Sequence, residues 1–199
     1  MGLKRFGVLG WPVAHSRSPA MHRAAYAALG LTDWHYQKLP VPPDVFAETV
    51  RSLPAAGYAG ANVTIPHKEA ALAVADEATD AAREIGAANT LTFGADGTIH
   101  ADNTDAPGLI AAIGEPLPPS ALVLGAGGSA RAAIWALTRA GVDVRVWNRT
   151  RERAEQLGVP VADEPTGTGM LVNCTSVGLD DPDALPADPT GFDVVVDLV

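Results

Sequence analysis

The segment ALVLGAGGSARAAIWAL (121–137) constrains the fold more than any other stretch of the chain. An apolar run of strand length ends in glycines, and a helical pattern follows at once, with Ala130, Ala133, Ile134 and Leu137 on one face. Gly125, Gly127 and Ala130 fit G-x-G-x-x-G/A between the strand and the helix. The first glycine permits the tight turn and the second lets backbone approach a pyrophosphate. Ala130 permits close helix–strand packing. The helix N-terminus adds N–H groups and the positive end of a dipole. Gly125, Ala126, Gly127, Gly128 and Ser129 therefore read as a dinucleotide phosphate loop, against a merely structural turn as the plainer account.

The next strand bears on which dinucleotide. A carboxylate about 20 residues on would bind a ribose 2′-OH. That place is held instead by Asn148, Arg149 and Thr150, with Arg153 four residues after Arg149. Two guanidiniums at (i, i+4) can clamp a 2′-phosphate, which a carboxylate would repel. The reading favours NADP(H) over NAD. Solvated surface arginines are the alternative.

The same alternation extends through the chain. Strands are expected at 5–10, 33–41 and 60–65, and helices at 18–30, 43–53 and 67–85. A hairpin is expected around Asp96-Gly97. EPLPPS (115–120) breaks the pattern, and beyond it come a helix at 129–140, the strand DVRVWNRT, a helix at 151–157 and the strands GMLVNCTS and FDVVVDLV. Repeated βα units with near-continuous apolar strands imply parallel sheets covered on both faces. The expected fold class is α/β: an N-terminal open α/β domain over 1–103 and a doubly wound Rossmann-type domain over 104–199. A central-type strand ending at Val199 carries the expectation that a C-terminal segment is absent.

Charge and cysteine usage narrow the partners. The net charge of −9 argues against general nucleic-acid binding. Residues 1–150 hold 12 Lys/Arg and 13 Asp/Glu, and residues 151–199 hold 2 and 10, so an anionic ligand is better sought in the first 150. No apolar run reaches the ~20 residues of a membrane span. A single cysteine, Cys174, fits a reducing compartment, so a cytoplasmic location is expected. The five histidines have no paired metal-ligand spacing, and no metal is expected.

The first domain carries polar groups that are individually ordinary. Ser18-Pro19 reads as an N-cap followed by an N1 proline, which leaves Ser16 without a capping task. Two hydroxyls there would suit a carboxylate. Asn62 and Thr64 share one face at the carboxyl end of a strand, where open α/β sheets bind ligands. Lys68 could be a solvated helix-start residue. Asn89, Asp102, Asn103 and Asp105 could all be caps. Taken singly, each favours the bland account.

Together the motifs HSRSP, NVTIPHK, GAANTL, DNTD, GAGGSAR, NRT and NCTSVG resemble, in order and spacing, the shikimate dehydrogenases. The resemblance covers essentially the whole chain. It implies two α/β domains facing a cleft, shikimate or 3-dehydroshikimate on the first and NADP(H) on the second. Ser16 and Ser18 would bind the substrate carboxylate, with Thr64, Asn89 and Asp105 around the ring hydroxyls and Asn62 in support. Lys68 would be the catalytic acid/base with Asp105 beside it. Gly125–Ser129 and Asn148–Arg153 match the cofactor site, and Asp80 and Leu198 hold positions that approach the cofactor in relatives. The resemblance also implies a tyrosine and a substrate-binding glutamine beyond the last strand, neither present here. An NAD-dependent quinate/shikimate dehydrogenase and a catalytically silent shikimate-binding relative are the rival functions, and a monomer or homodimer is expected.

Overall fold

The computed structural model describes residues 2–179, 181 and 183–198; Val199, the last residue of the expected final strand, lies outside the described residues. The chain divides into two compact units, Met1–Thr104 and Asp105–Val199.

The first unit runs β1 (Lys4–Gly10), α1 (Ser18–Ala28), β2 (Trp34–Pro40), a 3-10 turn (Pro43–Val45), α2 (Phe46–Ser52), β3 (Tyr58–Val63), α3 (Lys68–Val74), β4 (Glu77–Ala78), α4 (Asp80–Ile85), β5 (Thr90–Phe93) and β6 (Ile99–Asp102). Its six strands lie in the order β2-β1-β3-β5-β6-β4. β1 is parallel to β2 and β3, whereas β5 is antiparallel to β3 and β6. One face buries Leu9, Val63, Leu91 and Ile99 against Phe46 and Val50 of α2 and Ala71 and Val74 of α3. The other buries Val8, Val13 and Tyr36, with Phe6 and Tyr26 packed against them.

The second unit runs α5 (Asp105–Ile113), β7 (Ser120–Leu124), α6 (Gly128–Arg139), β8 (Asp143–Trp147), α7 (Arg151–Glu155), β9 (Met170–Asn173) and β10 (Val194–Asp197). The sheet, in the order β10-β9-β7-β8, is parallel throughout. Val123, Val146 and Val172 pack on Ala130, Ala133 and Leu137, and Leu122, Leu124 and Leu171 fill the opposite face. Burial on both faces explains why β7 reads as an unbroken apolar run.

Several expected elements differ in the structure. The first sheet is mixed rather than parallel, because the hairpin β5–β6 inserts beside β3; Gly97 makes its turn at φ +89°. The strand expected at 60–65 spans Tyr58–Val63: the Thr64 N–H to the Leu9 carbonyl, at 2.8 Å, is the last bond of its ladder with β1, and the chain then turns as the Thr64 carbonyl accepts the His67 N–H at 3.0 Å. The helix expected over 67–85 is two helices separated by β4. Asp76 is held by Ile99 through two bonds, its N–H to the Ile99 carbonyl and its Oδ2 from the Ile99 N–H. Thr79 then caps α4, its hydroxyl accepting the Ala82 N–H at 3.2 Å. A run of alanines could not reveal that tertiary pull.

Candidate functional site

The mixed sheet gathers loops at one edge. β1, β2, β3 and β6 end there, and β5, running the other way, begins there. The segments 11–17, 41–42, 64–67, 86–89 and 103–104 are thus brought to one end of the first unit. They carry Ser16, Asn89 and Thr64, with Ser18, Asn62 and Lys68 in the adjoining turns of helix and strand. All six side chains are half-buried.

Backbone bonds tie these loops together. The Trp11 N–H donates to the Ile65 carbonyl at 3.0 Å, and the Val41 N–H to the Gly10 carbonyl at 3.2 Å. The Asn89 carbonyl accepts the Val63 N–H at 2.7 Å, while its own N–H goes to the Asp102 carbonyl at 3.0 Å. Gly10 is required by close approach: a Cβ there would lie 2.6 Å from Cγ2 of Thr64.

The serine pair corrects the expected cap. Helix α1 begins at Ser18 itself, with Arg17 as N-cap and no side-chain cap. Ser16 is the residue that serves the helix start, its Oγ accepting the Ser18 N–H at 3.3 Å.

Lys68 is the first residue of α3, with His67 as N-cap. A cation in a first helical turn opposes the helix dipole, so helix stability does not explain a lysine there. His67 is almost fully buried; its ring stacks on Phe46 at 4.3 Å and its Nε2–H donates to the Val41 carbonyl at 2.7 Å. Burial pushes the imidazole below its ordinary value, with the Val41 bond opposing, so the ring is neutral near neutrality.

Asn89 is fixed by Thr104. Its Oδ1 accepts the Thr104 N–H at 2.9 Å and its Nδ2 lies 3.0 Å from the Thr104 hydroxyl. Asp105, half-buried, follows directly as the first residue of α5. Asp102 and Asn103 are structural: Asp102 Oδ1 accepts from Thr79 and from the Asn103 N–H, and buried Asn103 donates to the Ala87 carbonyl. A depression of about 520 Å³ near Lys4, Arg51 and the 94–97 turn lies at the opposite end of this sheet and includes none of these groups.

In the second unit the glycine loop separates two requirements. Gly125 has φ +108°, and a Cβ there would meet the Cys174 carbonyl oxygen at 3.0 Å. Gly127 is the N-cap of α6, extended, with nothing within 4 Å of an added Cβ. The protein itself therefore does not demand a glycine at 127. An uncapped twelve-residue helix start beside that open space fits a pyrophosphate. Ala126 is buried, as is Ala130, which lets α6 lie close on β7.

At the end of β8 the expected (i, i+4) arginine pair is not formed on a helix. Thr150 is the N-cap of α7, so Arg149 precedes the helix that carries Arg153. Asn148 Nδ2 closes this turn by donating to the Thr150 carbonyl at 2.8 Å. Arg151 is taken up by Glu155 and Asp163, at 3.1 and 2.9 Å. Among the described residues neither Arg149 nor Arg153 is ion-paired, and both are exposed. Asp80 lies in the first unit, exposed and paired with Arg83. Leu198 donates its N–H to the Asn173 carbonyl at 3.1 Å.

Sequence reasoning did not single out Tyr36, Thr90 or Thr104 as site residues. Thr104 stands inside DNTD and was within reach of the motif. Tyr36 alternates with exposed residues like any strand aromatic, and nothing local marks it.

Residues 8–91 match the family of the shikimate dehydrogenase substrate binding domain. Shikimate dehydrogenase (NADP(+)) of Paracoccus denitrificans is 50% identical over 193 residues, covering 87% of this chain and 68% of that protein. The enzyme of the same name from Methylobacterium radiotolerans is 48% identical over 217 residues, 94% of this chain and 76% of its own length. Among solved structures, shikimate 5-dehydrogenase of Thermus thermophilus in complex with NADP(H) and shikimate aligns with a TM-score of 0.84 at 42% identity, over 99% of this chain and 79% of that one. The enzyme from Aquifex aeolicus aligns at 0.88 and 35% identity, over 99% and 79%. With half of the aligned positions identical over 87% of this chain and 68% of a relative, this chain belongs to the shikimate dehydrogenase family.

Proposed function

We infer that the protein is an NADP-dependent shikimate dehydrogenase, catalysing the reversible reduction of 3-dehydroshikimate to shikimate in aromatic amino acid biosynthesis. The observation that carries this is Lys68, placed against the helix dipole at the start of α3 and fastened beside Asn89. When bound, NADP(H) supplies or accepts the hydride at the substrate's C3.

In the reducing direction, the carbonyl oxygen gains negative charge as C3 becomes tetrahedral. The Lys68 ammonium stabilises that charge and delivers the proton that completes the hydroxyl; in reverse its amine takes the proton back. We assign Ser16 and Ser18 to the substrate carboxylate, and Thr64 and Asn89, with Asn62, to the ring hydroxyls. We assign Asp105 as the second catalytic residue. Gly125–Ser129 hold the cofactor pyrophosphate, with Asn148, Arg149, Thr150 and Arg153 at its 2′-phosphate end; Asp80 and Leu198 complete the assignment. Exposed Arg149 and Arg153 support NADP(H), because no carboxylate occupies 148–150 to repel a phosphate.

Among the described residues no helix is long and apolar enough to cross a membrane. We place the enzyme in the cytoplasm as a monomer or homodimer.

The test is NADP+-linked oxidation of shikimate by the purified protein, with NAD+ and quinate as alternatives. Turnover of shikimate with NADP+ well above either alternative is expected. Preference for quinate with NAD+ would make it the related quinate enzyme, and shikimate binding without turnover a silent relative.

A further inference from the structure

We propose that Tyr36 is a positioning residue for shikimate, its buried phenol fixing the Asn62 side-chain amide so that Asn62 presents an N–H donor to the substrate. The proposal rests on the shikimate dehydrogenase reading.

Tyr36 stands in β2, at the edge of the sheet, yet its hydroxyl reaches past β1 to β3 and donates to Asn62 Oδ1 at 2.7 Å. Its side chain is 7% exposed and packs with Val8 and Val13, an environment in which phenylalanine would fill the same space. The hydroxyl meets Asn62, a proposed substrate ligand. A polar tip carried into an apolar cluster must be satisfied, and here the group that satisfies it belongs to the site.

The ring is itself held in place. His22 stacks on it with centroids 4.0 Å apart and planes 11° from parallel. His22 is anchored by its Nδ1–H to the Ser18 carbonyl at 2.9 Å. Burial drives the phenol far above its ordinary value, so it stays a neutral donor at any working pH.

An asparagine amide can offer a ligand either its oxygen or its N–H groups. With Oδ1 accepting from Tyr36, Nδ2 is turned toward Thr90, whose hydroxyl lies 3.4 Å away. Thr90 passes its own hydrogen to Asn89 Oδ1 at 3.0 Å. A chain of bonds thus runs from Tyr36 through Asn62 and Thr90 to Asn89, with the Thr90 hydroxyl both accepting and donating. Among the described residues no acceptor takes the second Nδ2 hydrogen of Asn62, and a shikimate hydroxyl or carboxylate supplies one. The same arrangement serves substrate and transition state alike, so its loss should appear in KM rather than in kcat.

The test is Tyr36→Phe, which keeps the ring and removes only the hydroxyl. Shikimate KM should rise about tenfold, with kcat and the KM for NADP+ within about twofold of wild type. Added to Asn62→Ala, Tyr36→Phe should raise shikimate KM by less than about twofold further, because the group it positions is gone. An unchanged shikimate KM, a loss confined to kcat, an equal rise in both KM values or additive effects in the double variant would each overturn the proposal. If the wild type binds shikimate but does not turn it over, the enzyme reading fails, and the same comparison is made on the shikimate dissociation constant by calorimetry. If it neither binds nor turns over shikimate, both fall.

Discussion

The carbonyl of Lys68 accepts the Ala88 N–H at 2.8 Å, so the lysine that opens α3 is fastened to the residue next to Asn89. The bond joins a helix start to the loop that leads into β5, two segments about 20 residues apart in sequence. It places the proposed proton donor beside a proposed ligand of the ring hydroxyls through backbone alone, independently of either side chain.

A substitution at position 68 should therefore spare the architecture. Lys68→Ala should lower shikimate turnover by about 10²–10⁴-fold, the usual span for loss of a positioned acid or base. Shikimate affinity should change by only a few-fold. Steady-state rates and calorimetric binding on the same preparations check this, and undiminished turnover would remove Lys68 from the mechanism.

Gly10 makes a sharper test of the substrate loops. An alanine Cβ would lie 2.6 Å from Thr64 Cγ2, so Thr64 must move. Gly10→Ala should lower kcat/KM for shikimate about tenfold, since small displacements of substrate-positioning groups are costly. Adding Thr64→Ser removes the clashing methyl and keeps the hydroxyl, and should restore much of the loss. Failure of that rescue would place the damage elsewhere, with Val13 Cβ and the Ile65 carbonyl oxygen the next contacts at 3.3 Å.

The two loop glycines should respond oppositely. Gly125→Ala forces a side chain to φ +108° against the Cys174 carbonyl, and should cost about 1–3 kcal/mol of stability. Gly127→Ser places a good N-cap residue into open space and should leave the melting temperature unchanged or slightly raised. Its cost should fall on NADP+ binding. Thermal melts with and without NADP+ separate the two outcomes.

Arg149→Ala should weaken NADP+ by about 10–100-fold, the range for losing a charge-assisted bond to phosphate, and leave NAD+ nearly unaffected. Arg151→Ala, whose guanidinium is already shared between Glu155 and Asp163, should change neither cofactor strongly. Equal effects of Arg149→Ala on both cofactors would mean that this side chain does not read the 2′-phosphate.

His67 gives a pH dependence. Burial holds its folded pKa below the ordinary 6.5, so as pH falls below about 6.5 the unfolded chain takes up a proton that the folded protein resists. This contribution to stability is complete above that pH and shrinks as pH falls toward the folded value. His67→Phe keeps an aromatic ring against Phe46, and should flatten that acid limb of denaturant-derived stability. An unchanged slope would assign the limb to other groups.

The local order of the chain was legible where local chemistry decides it. GAGGSAR specified a strand, a turn and a helix because only glycine tolerates the backbone at 125 and only a small residue packs at 130. Asp96-Gly97 specified a hairpin, and NVTIPHK with DNTD carried enough of a family's pattern to indicate the chemistry. The sequence by itself therefore determined the α/β class, the phosphate loop and the set of polar residues worth watching.

The tertiary structure decided what those residues touch. Antiparallel insertion of β5 brings Asn89 to the end of the sheet where Thr64 and Lys68 stand, and helical periodicity could not foresee it. Ser16 rather than Ser18 proved to serve the start of α1, and Arg149 fell outside the helix of Arg153, because caps are set by backbone geometry that several neighbouring residues could satisfy. Tyr36 met Asn62 across an intervening strand, a contact 26 residues long in sequence that only the ladder register creates. Bonds between distant segments depend on which strands pair and in what direction, and that is settled by the packing of the whole unit.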